Sequence, residues 1–236
     1  FCGRCVRHCP QFAGARRKIN EKYGSAGAGI PARPLSCWKG GSGLKKYQIV
    51  YADPPWRYRV YSKREQIRSA ESHYPTMSLN DICALPVKRI ADKNCALFLW
   101  VTAPLLKECF SVIEAWGFAY KTVAFVWIKK NRRSDSLFWG MGHWTRANAE
   151  LCLLATTGQI KRQSASVHQV IVSPVEAHSK KPDVVRERII QLVGDLPRVE
   201  LFARQKTTGW DVWGNEVKSD LTMWIDAGVM GGGNLV

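Results

Sequence analysis

Four consecutive residues, Asp53-Pro54-Pro55-Trp56, place a carboxylate, two proline carbonyl groups and an indole directly after a short apolar run. Each proline fixes its own φ, favours extended geometry in the residue before it and lacks an N–H group. We therefore expect the peptide to leave its strand rigidly, with carbonyl oxygens that local amides occupy less readily, so that one or two of them are free. Such a set suits an exocyclic amino group on a flat ring. Its two N–H groups would donate to Asp53 and to the Pro54 carbonyl, while Trp56 stacks on the ring.

This arrangement favours alkylation of the amino group. An aryl amine is a weak nucleophile because its lone pair is delocalised into the ring. Two fixed acceptors would favour a pyramidal nitrogen and stabilise the positive charge that develops during alkylation, and each such group is worth about 10²–10³ in rate. A base held in this way must first leave its stack, as the bases that methyltransferases modify do. The alternative for the four residues is an ordinary proline turn.

Strand-like and helix-like segments alternate around this motif. Apolar runs predict strands at residues 47–52, 96–101, 122–128, 150–155, 167–172 and 198–203. One helix is predicted from an N-cap at Thr102 to Gly117, and another from about Lys181 to Gly194. The alternation predicts an α/β fold with a mainly parallel sheet, in which ligands bind at the carboxyl ends of strands. Residues 57–95 and 129–148 are expected to be irregular.

The chain of 236 residues has 35 Lys and Arg against 19 Asp and Glu, a formal net charge of +16. Such an excess suits a polyanionic partner such as nucleic acid. More than half of it falls in residues 1–46, a Gly- and Cys-containing appendage that we expect to be irregular. The alternative for this segment is a solubilising leader. Residues 47–220 form the predicted domain, and residues 221–236 form a C-terminal tail.

Cysteine usage and hydropathy indicate a reducing, non-membrane environment. Eight cysteines are too sparse for a disulfide scaffold, and we see no secretory signal, so we expect a cytoplasmic protein with reduced thiols. The longest apolar stretch, residues 95–106, is shorter than a bilayer requires. The thiolates of Cys2, Cys5, Cys9 and Cys37 are enough for one zinc ion, but their spacing is not that of paired zinc knuckles, and we expect no metal.

Asp-Pro-Pro-Trp after a strand resembles the catalytic motif of amino-methyltransferases that use S-adenosylmethionine. The version that ends in Trp resembles the MT-A70 family, which contains the catalytic subunit of the mRNA adenosine-N6 methyltransferase and bacterial and phage DNA-methylating relatives. Further segments resemble that family's motifs in the same order, at residues 142–144, 149–158, 178–183, 200–204 and 209–216. The resemblance extends from about residue 47 to residue 217.

The resemblance implies a Rossmann-like methyltransferase fold, S-adenosylmethionine as cofactor and transfer of a methyl group to adenine N6 in DNA. Three alternatives stay open: the same reaction on RNA, a non-catalytic nucleic-acid-binding partner subunit, and methylation of a cytosine amino group. The chain would act on nucleic acid, with DNA expected before RNA, and a homodimer or heterodimer is compatible with the sequence.

The resemblance also implies roles for single residues. Asp53 would serve catalysis and lie against the methyl donor, and Pro54, Pro55 and Trp56 would hold the adenine. Lys181 would bind the carboxylate of the cofactor. Independently of the resemblance, a cation at a helix start is mildly disfavoured by the helix dipole, which is a hint that Lys181 has an anionic partner. The remaining cofactor contacts would come from Arg204, Gln205, Lys206, Thr207, Asn215 and Glu216.

Basic segments at residues 57–68, 129–133 and 161–162 are the candidate phosphate contacts. The residues that we expect to bind substrate are Trp56, Arg57, Lys129, Lys130, Arg132 and Arg133.

Overall fold

The computed structural model describes residues 44–57, 76–140, 142, 144–176 and 180–221. Within these ranges the chain contains seven strands, which are β1 (Tyr47–Ala52), β2 (Ala91–Val101), β3 (Ala119–Lys130), β4 (Glu150–Thr157), β5 (Val170–Pro174), β6 (Arg198–Leu201) and β7 (Asp211–Trp213). They form one sheet in the order β5-β3-β4-β2-β1-β6-β7. The predicted appendage (up to residue 43), the tail beyond residue 221, and Cys2, Cys5, Cys9 and Cys37 lie outside the described residues, so those interpretations stay predictions.

The sheet is mainly parallel, as predicted. β1 pairs in parallel with β2 and β6, β6 with β7, and β3 with β5, whereas β4 runs antiparallel to both β2 and β3. The carboxyl ends of the parallel strands therefore meet the amino end of β4 at one edge of the sheet, which we call the site edge. Parallel α/β sheets bind their ligands at this edge.

Helices cover both faces of the sheet. They are α1 (Leu79–Ala84), α2 (Val87–Ile90), α3 (Leu106–Ala115) and α4 (Val184–Val193), and a 3₁₀ turn (Ala103–Leu105) precedes α3. Helices α1, α2 and α3 pack on one face, and α4 packs on the other. Residues 95–101 of β2, whose side chains alternate between the faces, are consequently all buried.

Several boundaries differ from the prediction, and each difference has a local cause. The prediction that residues 57–95 are irregular is wrong for α1, α2 and the first part of β2. Ser78 caps α1 by accepting a hydrogen bond from the Asp81 amide at 3.2 Å, and both helices are too short to show a clear apolar period. Thr102 makes no capping hydrogen bond, because the 3₁₀ turn rather than an α-helix follows it.

Strand β5 begins three residues later than predicted, and β7 was not predicted because three residues carry no readable alternation. No helix in the described part of the chain is long and apolar enough to cross a membrane.

Candidate active site

The tetrapeptide at residues 53–56 follows the buried strand β1 directly, at the site edge. It turns at once, because the Trp56 amide donates to the Pro54 carbonyl oxygen at 2.8 Å. The Met77 amide donates to the Pro55 carbonyl oxygen, also at 2.8 Å. Local amides thus reach both proline carbonyl oxygens, contrary to the expectation that one or two of them would be free. A carbonyl oxygen has two lone pairs, so the Pro54 oxygen keeps one acceptor position.

Trp56 anchors this turn to the core. Its indole is only 5% exposed, and Nε1 donates to the Trp100 carbonyl oxygen at 3.1 Å. The indole of Trp100 in turn donates to the Tyr51 hydroxyl at 2.8 Å. The predicted stacking face is thus turned inward, because the indole N–H finds its acceptor on β2. The geometry gives Trp56 the task of holding Asp53 and Pro54 in place.

Four side chains of alternating charge lie in a row that ends at the first residue of the tetrapeptide. We call them the charge chain: Lys129, Glu150, Lys181 and Asp53. Lys181 Nζ lies 2.5 Å from Asp53 Oδ2 and 3.3 Å from Glu150 Oε2. Lys129 Nζ lies 2.5 Å from Glu150 Oε1. Lys181 thus has the anionic partners that its position before α4 predicted, and they come from the protein itself.

The pKa values within the charge chain diverge. Burial raises the pKa of Asp53 above its ordinary value, although the Lys181 ammonium opposes the shift. Burial also acts on Glu150, but there Lys181 and Lys129 prevail and lower the pKa. Burial disfavours the Lys181 ammonium, yet the two carboxylates outweigh this and raise its pKa, so Lys181 keeps its proton. Lys181 therefore stays positively charged, and of the two carboxylates Asp53 is the one that takes up a proton at the higher pH.

The loops after β6 and β7 approach each other closely at the same edge. The Ala203 amide donates to the Trp213 carbonyl at 2.9 Å. A Cβ on Gly214 would lie 2.1 Å from the Ala203 carbonyl oxygen, so glycine is required there. This contact brings residues 204–207 near residues 215–216.

The six predicted cofactor residues of these two loops differ in their surroundings. Arg204 Nε lies 3.6 Å from Glu216 Oε1. The charge of Arg204 also acts to lower the pKa of Asp53. Lys206 pairs with Asp220 at 2.5 Å. The hydroxyl of Thr207 is buried and has no hydrogen-bond partner among the described residues. Gln205 and Asn215 are exposed.

The predicted phosphate contacts are only partly brought to this edge. Lys129 belongs to the charge chain and lies over the Trp127 ring at 5.1 Å, and Lys130 pairs with Asp135. Both ammonium groups thus have carboxylate partners within the protein, and their contact with phosphate stays a prediction. Residues 161–162 follow the antiparallel strand β4 and therefore lie beyond the opposite edge of the sheet.

Arg57, Arg132 and Arg133 are exposed in loops that leave the site edge. Residues 58–68 of the first basic segment, like His143 and His178, are not among the described residues.

Two contributors to the site were not predicted. Glu150 opens an apolar strand, and an acid at the start of such a strand is the signal that could have revealed it. Asn148 accepts a hydrogen bond from the Lys129 amide at 2.9 Å and donates to the Lys129 carbonyl at 2.9 Å. Its amide also donates to the Phe138 carbonyl. Asn148 therefore fixes the end of β3 beside the charge chain.

Comparisons with known proteins find relatives across this whole region. Residues 47–216 match the protein family described as MT-A70. The chain is 36% identical over 190 residues to the Type II methyltransferase M.MunI of a Mycoplasma species. It is 30% identical over 178 residues to an N(6)-adenosine-methyltransferase MT-A70-like protein of Drosophila melanogaster. The identity is 28% over 178 residues to the N(6)-adenosine-methyltransferase catalytic subunit METTL3 of Homo sapiens.

The extent of these matches differs between the relatives. The match to M.MunI covers 73% of this chain and 78% of that protein. The matches to the fly and human proteins cover 74% of this chain, but only 27% and 29% of those proteins. The chain thus spans under a third of the length of these adenosine methyltransferases.

Proposed function

The chain belongs to the MT-A70 family of methyltransferases, and from that membership we propose that it transfers a methyl group from S-adenosylmethionine to the N6 amino group of adenine in DNA. The observation that carries the proposal is the pairing of Asp53 with Lys181 at the carboxyl end of β1. A carboxylate and an ammonium at this edge complement an amino acid cofactor that has both a cationic centre and a carboxylate.

The residues at the site edge fit S-adenosylmethionine. Asp53 offers a negative charge to a sulfonium, and Lys181 offers a positive charge to a carboxylate. The buried Thr207 hydroxyl, which lacks a partner among the described residues, offers a further hydrogen bond from the loop after β6. When bound, this cofactor supplies the methyl group from its sulfonium centre.

In this proposal each protein residue has a task in the transfer. Lys181 is shared by two carboxylates, so Glu150 continues to stabilise its charge when Lys181 moves away from Asp53 towards a ligand carboxylate. Asp53 then accepts one N–H of the adenine amino group, and the second lone pair of the Pro54 oxygen accepts the other. Both acceptors stabilise the positive charge that grows on N6, and this charge disappears when N6 releases one of its two protons after the methyl group has bound.

DNA is favoured over RNA by the extent of the similarity. The match to M.MunI covers most of both proteins, whereas the matches to the adenosine methyltransferases cover a minor part of those longer chains. RNA adenosine is therefore the second candidate. A non-catalytic partner subunit is disfavoured because Asp53 is present and sits in an ion pair at the site edge.

The reaction is tested with radiolabelled S-adenosylmethionine and matched DNA and RNA oligonucleotides, followed by nucleoside mass spectrometry. We expect N6-methyladenine in DNA with the wild type. Asp53→Ala should lower turnover by at least about 10²-fold, because it removes an acceptor that acts on the transition state. It should leave cofactor binding largely intact, since Lys181 and Glu150 remain and only the contact with the sulfonium is lost.

A matched control is Asp195→Ala, which removes an exposed carboxylate that precedes β6 at the opposite edge; it should leave turnover unchanged. Near-wild-type turnover of Asp53→Ala would overturn the assignment of Asp53. Methylation of RNA alone would select the second candidate, and failure of the wild type to bind the cofactor would support the non-catalytic alternative.

A further inference from the structure

The loop between β3 and β4, residues 131–148, exposes two indoles. Trp144 is 93% exposed and Trp139 is 56% exposed. Single exposed apolar side chains are common, but tryptophan is highly buried on average. Two of them on one surface loop therefore indicate a surface that contacts another molecule.

The same loop is basic. Arg132, Arg133 and Arg146 are exposed, and the one acid among the described loop residues, Asp135, is paired with Lys130. Arg146 Nη2 donates to the Trp139 carbonyl oxygen at 3.3 Å, so a guanidinium and an indole share one part of the loop. Interleaved arginine and aromatic side chains are typical of surfaces that bind a nucleic-acid strand, because bases stack on the rings and phosphates pair with the cations.

The loop is fastened at several points. The Asn131 side chain donates to the Ser136 hydroxyl at 2.8 Å, and the Gly140 amide donates to the Ala147 carbonyl at 2.7 Å. At its end, Asn148 ties the loop to Lys129, which belongs to the charge chain. A loop held in this way loses little freedom when it binds a ligand. It also begins and ends next to Lys129 and Glu150, which are linked to Asp53 through Lys181.

We propose that this loop binds the nucleic-acid strand around the target base, with Trp139 and Trp144 stacking on bases and Arg132, Arg133 and Arg146 contacting phosphates. The inference rests on the proposed function for the nature of the polymer, and it concerns the bases around the target rather than the target base itself. A second copy of the chain is a poorer occupant. In a symmetric dimer the same patch faces itself, and three arginines would then oppose three arginines.

The test measures binding without turnover. Fluorescence anisotropy gives the Kd of labelled single-stranded and duplex DNA of one sequence in the absence of cofactor. The double variant Trp139→Ala/Trp144→Ala should weaken binding of the preferred form by about tenfold or more. The matched control is Phe110→Ala/Tyr120→Ala, which removes an exposed aromatic pair whose rings lie 5.2 Å apart on another surface; its Kd should not change.

Further measurements separate the outcomes. The variant Trp144→Phe keeps a stacking ring and should retain much of the wild-type affinity for DNA. The variant Arg132→Gln/Arg133→Gln should make the Kd depend less steeply on salt concentration. An unchanged Kd in the double alanine variant overturns the proposal. The proposal is also overturned if sedimentation shows that the double alanine variant dissociates a dimer while its Kd for DNA is unchanged, since the loop would then join two copies of the chain.

The two proposals also fail in different ways. If the wild type binds DNA through the loop but never methylates it, the proposed function fails and this inference stands. If the wild type methylates DNA and the double variant keeps its Kd, only this inference fails.

Discussion

Two ion pairs connect the region of α4 to the central strands, one of them buried and the other partly buried, and their geometries differ. Arg186 binds Glu200 through two parallel contacts, Nε to Oε2 at 2.8 Å and Nη2 to Oε1 at 2.7 Å. Lys181 instead makes one short contact with Asp53 and a longer one with Glu150. The guanidinium also lies over the Tyr51 ring at 5.6 Å, which fixes its orientation further.

From this difference we infer that the first pair is structural and that the second is suited to bind a ligand. The planar guanidinium matches both oxygens of a single carboxylate, so the Arg186 pair has one favoured arrangement. The Lys181 ammonium is a compact charge on a flexible stem, and it lies between two carboxylates that can each stabilise it. Such a charge can change partners without being left unpaired in the interior. The first pair holds α4 against β6, whereas the second is suited to receive a ligand.

The largest expected effect is the loss of stability when the structural pair is broken. Arg186→Met should lower the free energy of unfolding by about 3–5 kcal/mol, because it leaves the Glu200 carboxylate buried without its partner. Urea unfolding measures this change. The double variant Arg186→Met/Glu200→Leu removes both charges and should recover most of the lost stability.

The same variants test whether the pair is only structural. Turnover per folded molecule should stay at the wild-type level in the double variant. If stability is unchanged by Arg186→Met while turnover collapses, the distinction between the two pairs fails.

A smaller effect is expected when Lys181 is replaced. Lys181→Met should weaken cofactor binding by about tenfold or more, because hydrogen bonds to charged groups are worth about 1.5–3 kcal/mol. It also removes the charge that holds down the pKa of Asp53, so that pKa rises. The active carboxylate form is then lost at a higher pH, and the acid limb of kcat/KM against pH moves upward.

The neighbouring lysine provides the control for this prediction. Lys180 pairs with Glu176 and Asp183 outside the charge chain, so Lys180→Met should change neither cofactor binding nor the acid limb. An acid limb that stays in place in Lys181→Met would show that Asp53 does not control the profile. Carbon-13 NMR of the Asp53 carboxyl group would give the pKa directly if turnover is too slow to follow.

The sequence predicted the framework of the fold well because that framework depends on local hydrophobicity. Strand β1 was predicted to the residue, and the buried part of β2 was recognised from its continuous apolar run. The direction of β4 was not predictable, since strand direction depends on pairing between distant segments. That reversal places Glu150 at the site edge and residues 161–162 at the other.

The candidate site was predicted as single residues and not as an arrangement, because contacts between distant segments are not readable from local sequence. Asp53 and Lys181 were identified by their places beside a strand and a helix, and the structure brings them into contact across 128 positions of sequence. The orientation of Trp56 was missed because its inward turn depends on a carbonyl of β2. Glu150 was missed because its partners, Lys129 and Lys181, come from two other parts of the chain.

Glu150 gives the smallest expected effect and the sharpest test of the charge chain. Its carboxylate raises the pKa of Asp53 by repulsion, so Glu150→Gln should lower that pKa. Lys181 would then belong to Asp53 alone, which acts in the same direction. The acid limb of kcat/KM should therefore move to lower pH, opposite to the shift in Lys181→Met. The shift should be the smaller one, because Lys181 contacts Asp53 directly and Glu150 acts from beyond it.

The control for Glu150 is Glu176→Gln, which removes a half-exposed carboxylate that follows β5 and pairs with Lys180. This change should leave the acid limb in place, because Glu176 does not influence Asp53. Glu150→Gln could instead move the acid limb of kcat/KM to higher pH. In that case Glu150 holds the Lys181 ammonium against Asp53 and does not compete with Asp53 for it. The ammonium would then have no alternative partner when it leaves Asp53, and the contrast with the fixed Arg186 pair would disappear.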